Sequence, residues 1–207
     1  MAIYQSTIKR TLILFTAMTL LLTSCVEKEK AAPSIAKTLV IQPFSGISQN
    51  QVDNVSKQLR KHFRTVKISK EIDLPQSAFY PPRQRYRADS LLSFLLTNEP
   101  DQKVTVLGVT DKDISVGKND IIDWGVMGLS YRPGRSSVVS TFRLSKTQVQ
   151  EQLYKVAVHE LGHASGLPHC QLKTCYMRNA DGGNPLNEET GFCEKCKSYL
   201  VERNWIL

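Results

Sequence analysis

One stretch of this 207-residue chain constrains it more than any other: His159-Glu160-Leu161-Gly162-His163-Ala164-Ser165-Gly166-Leu167-Pro168-His169. The chain has four histidines, and three of them fall in these eleven residues. His159 and His163 are four apart, so on a helix they project from one face, one turn from each other. Two neutral imidazoles so placed can share one Zn²⁺ at roughly 2.0–2.1 Å. Glu160 points partly off that axis but stays within reach of a water on the metal. Gly166 follows a turn later, where a helix commonly ends on a left-handed glycine, and Pro168 prevents the helix from resuming. The chain is therefore expected to turn sharply and return His169 as a third ligand. Three protein ligands leave a fourth position open for water, as in catalytic zinc sites. The pattern demands a helix and a sharp C-terminal turn.

The residues that follow extend the pattern. Cys170 comes directly after the third histidine, then Cys175, Met177, Cys193 and Cys196, giving H-C-x4-C-x-M-x15-C-x2-C. H-E-x-x-H-x-x-G-x-x-H is the metzincin peptidase signature, and with four added cysteines the stretch 159–196 resembles the archaemetzincins, a metzincin branch. The resemblance extends more weakly to Leu107–Asp113 and Gly125–Ser130. It implies a catalytic zinc on His159, His163 and His169, with Glu160 as general base. It implies that Met177 is the Met-turn residue, an apolar floor beneath the metal. It also implies a structural zinc on Cys170, Cys175, Cys193 and Cys196, making two zinc ions per chain. The implied fold is α/β (α+β): a metzincin-like zincin domain with a mixed twisted sheet, an active-site helix and a cysteine-rich zinc-binding C-terminal subdomain. Tyr176, next to Met177, is a weaker candidate for stabilising a transition state, because adjacent residues usually point apart.

The N-terminal segment reads as a targeting signal. Lys9 and Arg10 form a basic n-region, and Thr11–Leu22 is an apolar run suited to a signal peptide and short for a stable bilayer span. Leu22-Thr23-Ser24-Cys25 resembles a bacterial lipobox, which implies cleavage before Cys25 and its acylation. Acyl chains contribute roughly 0.8 kcal/mol per buried CH₂, so such an anchor holds firmly. Residues 1–24 are thus expected to be a lipoprotein signal peptide and 25–37 a lipidated cysteine with a charged tether. The expected location is the bacterial cell envelope, anchored to the membrane through Cys25. An uncleaved anchor and a secreted soluble protein are the alternatives. The chain has five cysteines, which divide into one lipid site and four candidate ligands. Two close-spaced pairs suit a Cys₄ zinc site, while an oxidising compartment favours two disulfides instead.

The remaining 38–207 are long enough for one catalytic domain with a sizeable core. The 41% hydrophobic and 22% charged composition is that of an ordinary globular protein. The net charge of +8, with a C-x-x-C pair, raises nucleic acid as a partner. Export would remove that partner and no aromatic-interleaved basic stripe occurs, so no nucleic-acid binding is expected. The partners expected are a peptide or protein substrate and the membrane, with the protein a monomer. Arg83, Arg85 and Arg87 read as a solvated cluster.

Periodicity predicts a strand over 38–43, a helix over 48–63 capped by Ser48, a strand over 65–74 stopped by Pro75, and a loop over 76–86. A helix follows over 88–97, then a strand over 103–109. Residues 125–131, 132–135 and 137–144 read as strand, turn and strand, and 146–165 as the active-site helix with Ser145 as N-cap. An extended substrate is expected to pair with the edge of the 125–131 strand, since edge pairing satisfies backbone groups without demanding a sequence. The competing reading is a non-catalytic, zinc-stabilised binding protein of the envelope, from which Glu160 is the distinguishing residue.

Overall fold

The computed structural model describes residues 38–207; the expected signal peptide, the Cys25 lipidation site and the charged tether lie outside the described residues. Nine strands and four α-helices alternate along the described chain. The main sheet contains β1 (Thr38–Pro43), β2 (Thr65–Ile68), β5 (Val104–Thr110), β8 (Gly128–Ser130) and β9 (Ser136–Ser140), in the order β2-β1-β5-β9-β8. All its pairings are parallel except β8 with β9, which is antiparallel.

A mostly parallel sheet needs cover on both faces, and the side-chain alternation in β1 shows how it is obtained. Leu39 and Ile41 join a core with Val52, Val55 and Leu59 of helix α1 (Gln49–Leu59) and with Leu153, Ala157 and Leu161 of helix α3 (Val149–Ala164). Val40 joins the opposite core, with Leu91, Leu92 and Leu95 of helix α2 (Ala88–Asn98). β5 lies in the middle and is buried along its whole length. At Gly108 the strand is covered closely. A Cβ there would lie 2.9 Å from both Leu95 and Phe44.

A second, four-stranded sheet stands beside the first: β3 (Phe79–Tyr80), β4 (Arg85–Arg87), β6 (Ile114–Lys118) and β7 (Ile121–Val126), in the order β3-β4-β6-β7. Where one sheet was expected there are two. The segment 76–86 expected as loop carries β3 between two short 3₁₀ turns and the start of β4 after them. The arginines expected on a solvated surface are split. Arg83 is exposed, whereas Arg85 has 13% of its side chain exposed and is paired with Asp113 at 2.6 Å and Asp123 at 2.7 Å.

The expected 125–131 strand is divided. Its first residues end β7 in the second sheet, Met127 interrupts, and 128–130 form β8 in the first. The Met127 carbonyl accepts a hydrogen bond from the Ser140 backbone N–H at 2.8 Å, which holds the junction. β2 stops at Ile68 and β9 at Ser140, both short of the expected ends. Helix α3 begins at Val149, not Lys146, with Gln148 as N-cap. Ser145 instead donates its backbone N–H to the Gln152 side chain at 2.8 Å. A fourth helix, α4 (Glu194–Val201), was not anticipated.

Candidate active site

Helix α3 carries His159, Glu160 and His163 and ends as the sequence requires. The Gly166 N–H donates to the His163 carbonyl at 2.8 Å and the Leu167 N–H to the Gly162 carbonyl at 3.0 Å. These are the paired bonds of a Schellman motif. Gly166 holds φ +102°, a left-handed conformation that a side chain would strain. The Ser165 hydroxyl donates back to Leu161 at 2.9 Å and accepts the indole N–H of buried Trp205 at 2.9 Å, so the far end of the chain braces this turn.

The turn brings His169 beside the other two. Each of His159, His163 and His169 offers a ring nitrogen, and these atoms all lie within 4.8 Å of one another. The Nδ1–H of His159 is positioned to donate to the Tyr176 carbonyl at 2.6 Å, and that of His163 to the Leu167 carbonyl at 2.7 Å. Those contacts hold the proton on Nδ1 and leave Nε2 with a free lone pair, the state a metal ligand needs. Burial pushes the His159 pKa down to about 3 and that of His163 down to about 4, so both rings are neutral at physiological pH. Neutral, converging imidazoles with fixed tautomers fit a divalent metal. The fourth histidine, His62, takes no part: its ring bonds the Tyr154 hydroxyl at 2.7 Å and the Ile206 carbonyl at 3.0 Å.

Glu160 lies in the cleft wall beside the histidines and is almost fully buried. Desolvation pushes its carboxyl up to about 8. Its backbone carbonyl accepts the Ser130 hydroxyl at 2.7 Å. Gly128 faces the Glu160 side chain so closely that a Cβ there would lie 2.6 Å from its Cγ and Oε1. Strand β8 is thus fitted against Glu160 by two residues that the motif does not reveal. Met177 lies beneath the helix, fully buried, where Gly162 leaves room for it. A Cβ at Gly162 would stand 2.5 Å from the Met177 sulfur. Tyr176 serves through its backbone carbonyl, while its ring packs edge-on against Tyr154 and Phe192.

The four cysteines also converge. Cys170, Cys175, Cys193 and Cys196 have sulfurs within 4.8 Å of one another, and none is in a disulfide. Cys170 and Cys193 are 3.8 Å apart, sulfur to sulfur. The Cys193 backbone N–H points at the Cys175 sulfur at 3.4 Å, and Cys170 donates its own N–H to the Met177 carbonyl at 2.7 Å. The two clusters are therefore joined through adjacent residues, His169 and Cys170. Between β8 and the loop after Met177 runs a cleft of about 690 Å³, lined by His159, Glu160, His163 and His169 among others.

Comparison with known proteins identifies the family. The model of peptidase family M54 matches residues 36–202. The archaemetzincin of Archaeoglobus fulgidus is 32% identical over 168 residues, covering 78% of this chain and 98% of its own. That of Nanoarchaeum equitans is 33% identical over 138 residues, covering 66% of this chain and 75% of its own. Among solved structures, the A. fulgidus archaemetzincin complexed with malonate superposes with a TM-score of 0.68 at 30% identity, over 78% of this chain and 99% of that one. The Methanopyrus kandleri archaemetzincin gives 0.69 at 27% identity, over 84% and 97%. With its three-histidine cluster, its cysteine cluster and a family match across nearly all its described residues, the chain belongs to the archaemetzincins, peptidase family M54, and is a zinc metallopeptidase.

Proposed function

We propose that this enzyme hydrolyses peptide bonds at the His159–His163–His169 cluster, with Glu160 as general base. The observation that carries the reading is the engagement of two Nδ1 atoms by backbone carbonyls, which leaves Nε2 of His159 and His163 free for the metal. Zinc bound there supplies Lewis-acid polarisation of the scissile carbonyl and of the attacking water. The chain's own residues do the rest. Beside a dication the Glu160 carboxyl is held ionised in spite of its burial. It takes the proton of the attacking water and returns it to the departing amine. Ser130 and Gly128 set where that carboxyl stands. Met177 gives the three imidazoles a rigid apolar floor.

The substrate is an extended peptide. β7 and β8 are both terminal strands of their sheets, so each has an outer edge facing the cleft side, and edge pairing gives a peptide backbone its partners. Glu160→Ala is the test. It removes the base and no ligand, so zinc content should be retained while cleavage of a peptide library, read by mass spectrometry, is abolished. Full activity in that variant would sink the mechanism. Failure of both proteins to cleave, with zinc bound, would favour the binding-protein alternative.

A structural zinc on Cys170, Cys175, Cys193 and Cys196 completes the reading. A tetrahedron with Zn–S bonds of roughly 2.3 Å has an edge of roughly 3.8 Å, and the Cys170–Cys193 separation is 3.8 Å. A disulfide would need about 2.05 Å. The proposal extends to the N-terminus: residues 1–24 are a signal peptide, Cys25 is acylated, and the monomeric catalytic domain is tethered to the membrane of the cell envelope. The support is the lipobox-like Leu22–Cys25 and the charged stretch after it.

A further inference from the structure

Glu189 is a buried carboxyl in the wall of the active cleft that the mechanism does not use. It is 2% exposed, it lines the same cleft as His159 and Glu160, and its Oε2 finds no hydrogen-bond donor among the described residues. Desolvation pushes its carboxyl up to about 7, against the opposing fields of Lys155 and Arg178. Neither cation is given to it. Lys155 pairs with Glu151 at 2.7 Å and donates to the Leu186 carbonyl at 2.8 Å, and Arg178 pairs with Glu188 at 2.7 Å. A buried polar group without a partner is costly and uncommon in native folds.

The wall that carries it is held in place. Gln152, buried on α3, accepts the Asn184 amide at 3.1 Å and donates to the Asn187 side chain at 2.9 Å. With the Lys155 bond to Leu186, the segment 184–187 is tied to the active-site helix at three points. Lys155 stands one helical turn before His159, and a turn rises about 5.4 Å. Glu189 lines one cleft with His159, Glu160 and His163, which puts it within reach of a peptide bound there. Val156 and Leu186 line the cleft there as well. A lining that combines apolar side chains with a buried carboxyl matches a long aliphatic stem that ends in a charge.

We propose that Glu189 is a specificity-determining residue that receives a substrate cation: a protonated amine or guanidinium carried by the peptide close to its scissile bond. The cation is either a lysine or arginine side chain or the peptide's own α-ammonium. Its arrival gives Glu189 the partner that the fold withholds. The inference rests on the peptidase reading above and adds a substrate class to it.

The experiment measures equilibrium binding at pH 8 to the zinc-loaded protein carrying Glu160→Gln, so that affinity is read without turnover. Four fluorescent hexapeptides are compared, with a central lysine or acetyl-lysine and with the N-terminus free or acetylated. The expected result is at least a tenfold tighter Kd for one cation-bearing member of a pair. The lysine pair identifies a side-chain site and the N-terminal pair an α-ammonium site. Adding Glu189→Gln should bring that ratio close to one. If that protein does not fold, Glu189→Asp, which keeps a charge but withdraws it by one methylene, should lower the ratio at least threefold. Ratios near one in the Glu189 protein, a ratio unchanged by both substitutions, or no saturable binding of any cationic peptide would each overturn the proposal. Cleavage of neutral and cationic peptides at equal rates by the wild type would remove this inference and leave the peptidase reading standing. Absence of all cleavage would count against that reading separately.

Discussion

Gly128 lets strand β8 approach the Glu160 side chain closely. A Cβ at position 128 would lie 2.6 Å from both Cγ and Oε1 of Glu160, and 2.9 Å from its Cδ. The carboxyl cannot retreat freely, because it is packed at 6% exposure. Gly128→Ala should therefore displace the proposed general base without touching a proposed metal ligand. A shift of about 1 Å can cost on the order of a hundredfold, so kcat is expected to fall roughly 10- to 100-fold while zinc content stays at its wild-type value. Steady-state kinetics beside metal analysis checks this, and an unchanged kcat in the folded, metal-loaded variant would show that Glu160 is not held by that contact. Glu160 itself was legible in the sequence because its neighbours in the chain are also its neighbours in the site. Gly128 and Ser130 were not, because they meet it across some thirty residues, and only the sheet registers β8 against α3.

The β6–β7 hairpin forms part of the cleft's lining and is held by ion pairs. Arg85 on β4 joins Asp113, just before β6, to Asp123 on β7, and Arg143 adds a second bond to Asp113 at 2.8 Å. The side chains of Arg85, Asp113 and Asp123 are 13%, 9% and 10% exposed, so removing one partner strands charges out of water. Arg85→Met should cost about 3–5 kcal/mol, the range for breaking a buried pair, with KM rising more than kcat falls. Urea denaturation reads the first effect, and a loss below about 1 kcal/mol, the ordinary worth of an exposed pair, would mean that the hairpin stands without the network. Nothing in the spacing of Arg83, Arg85 and Arg87 announced this role. The elements that were legible had long apolar periodicity: β1, the core of α1, α2 and β5 lie where the pattern put them. Two-residue β3 and three-residue β4 are too short to show any period, and Pro75, Pro81 and Pro82 argued for loop because they punctuate the turns between them. The 125–131 run read as one strand because alternation does not reveal that Met127 passes the chain from one sheet to the other. Ser145 resembled an N-cap, but Gln152 takes its N–H and the helix starts a turn later.

The C-terminal region is a wall of the same body that holds the sheet. Cys175, Cys196, Leu200 and Trp205 share one core with α1 and α3, Trp205 braces the end of α3 through Ser165, and Cys170 binds the Met177 carbonyl beneath the active helix. His169 and Cys170 are consecutive, so a metal on the cysteines would fix one end of the proposed catalytic ligand set. This predicts an asymmetry between the two centres. The wild type, prepared under reducing conditions, should carry two zinc ions by native mass spectrometry. His163→Ala should keep one and change Tm little, because the cysteine wall is intact. Cys196→Ser should lose the structural ion and weaken the catalytic one as well, since His169 loses its mooring. Structural zinc sites supply a large share of folding free energy in small modules, so the Tm should fall by roughly 10 °C or more. If the cysteines pair as disulfides instead, the protein will hold one zinc, and its intact mass will be lower by the hydrogens that oxidation removes. In that case Cys196→Ser should leave the catalytic ion bound. Equal metal loss from the His163 and Cys196 variants would show that the two centres are not coupled in the direction the backbone implies.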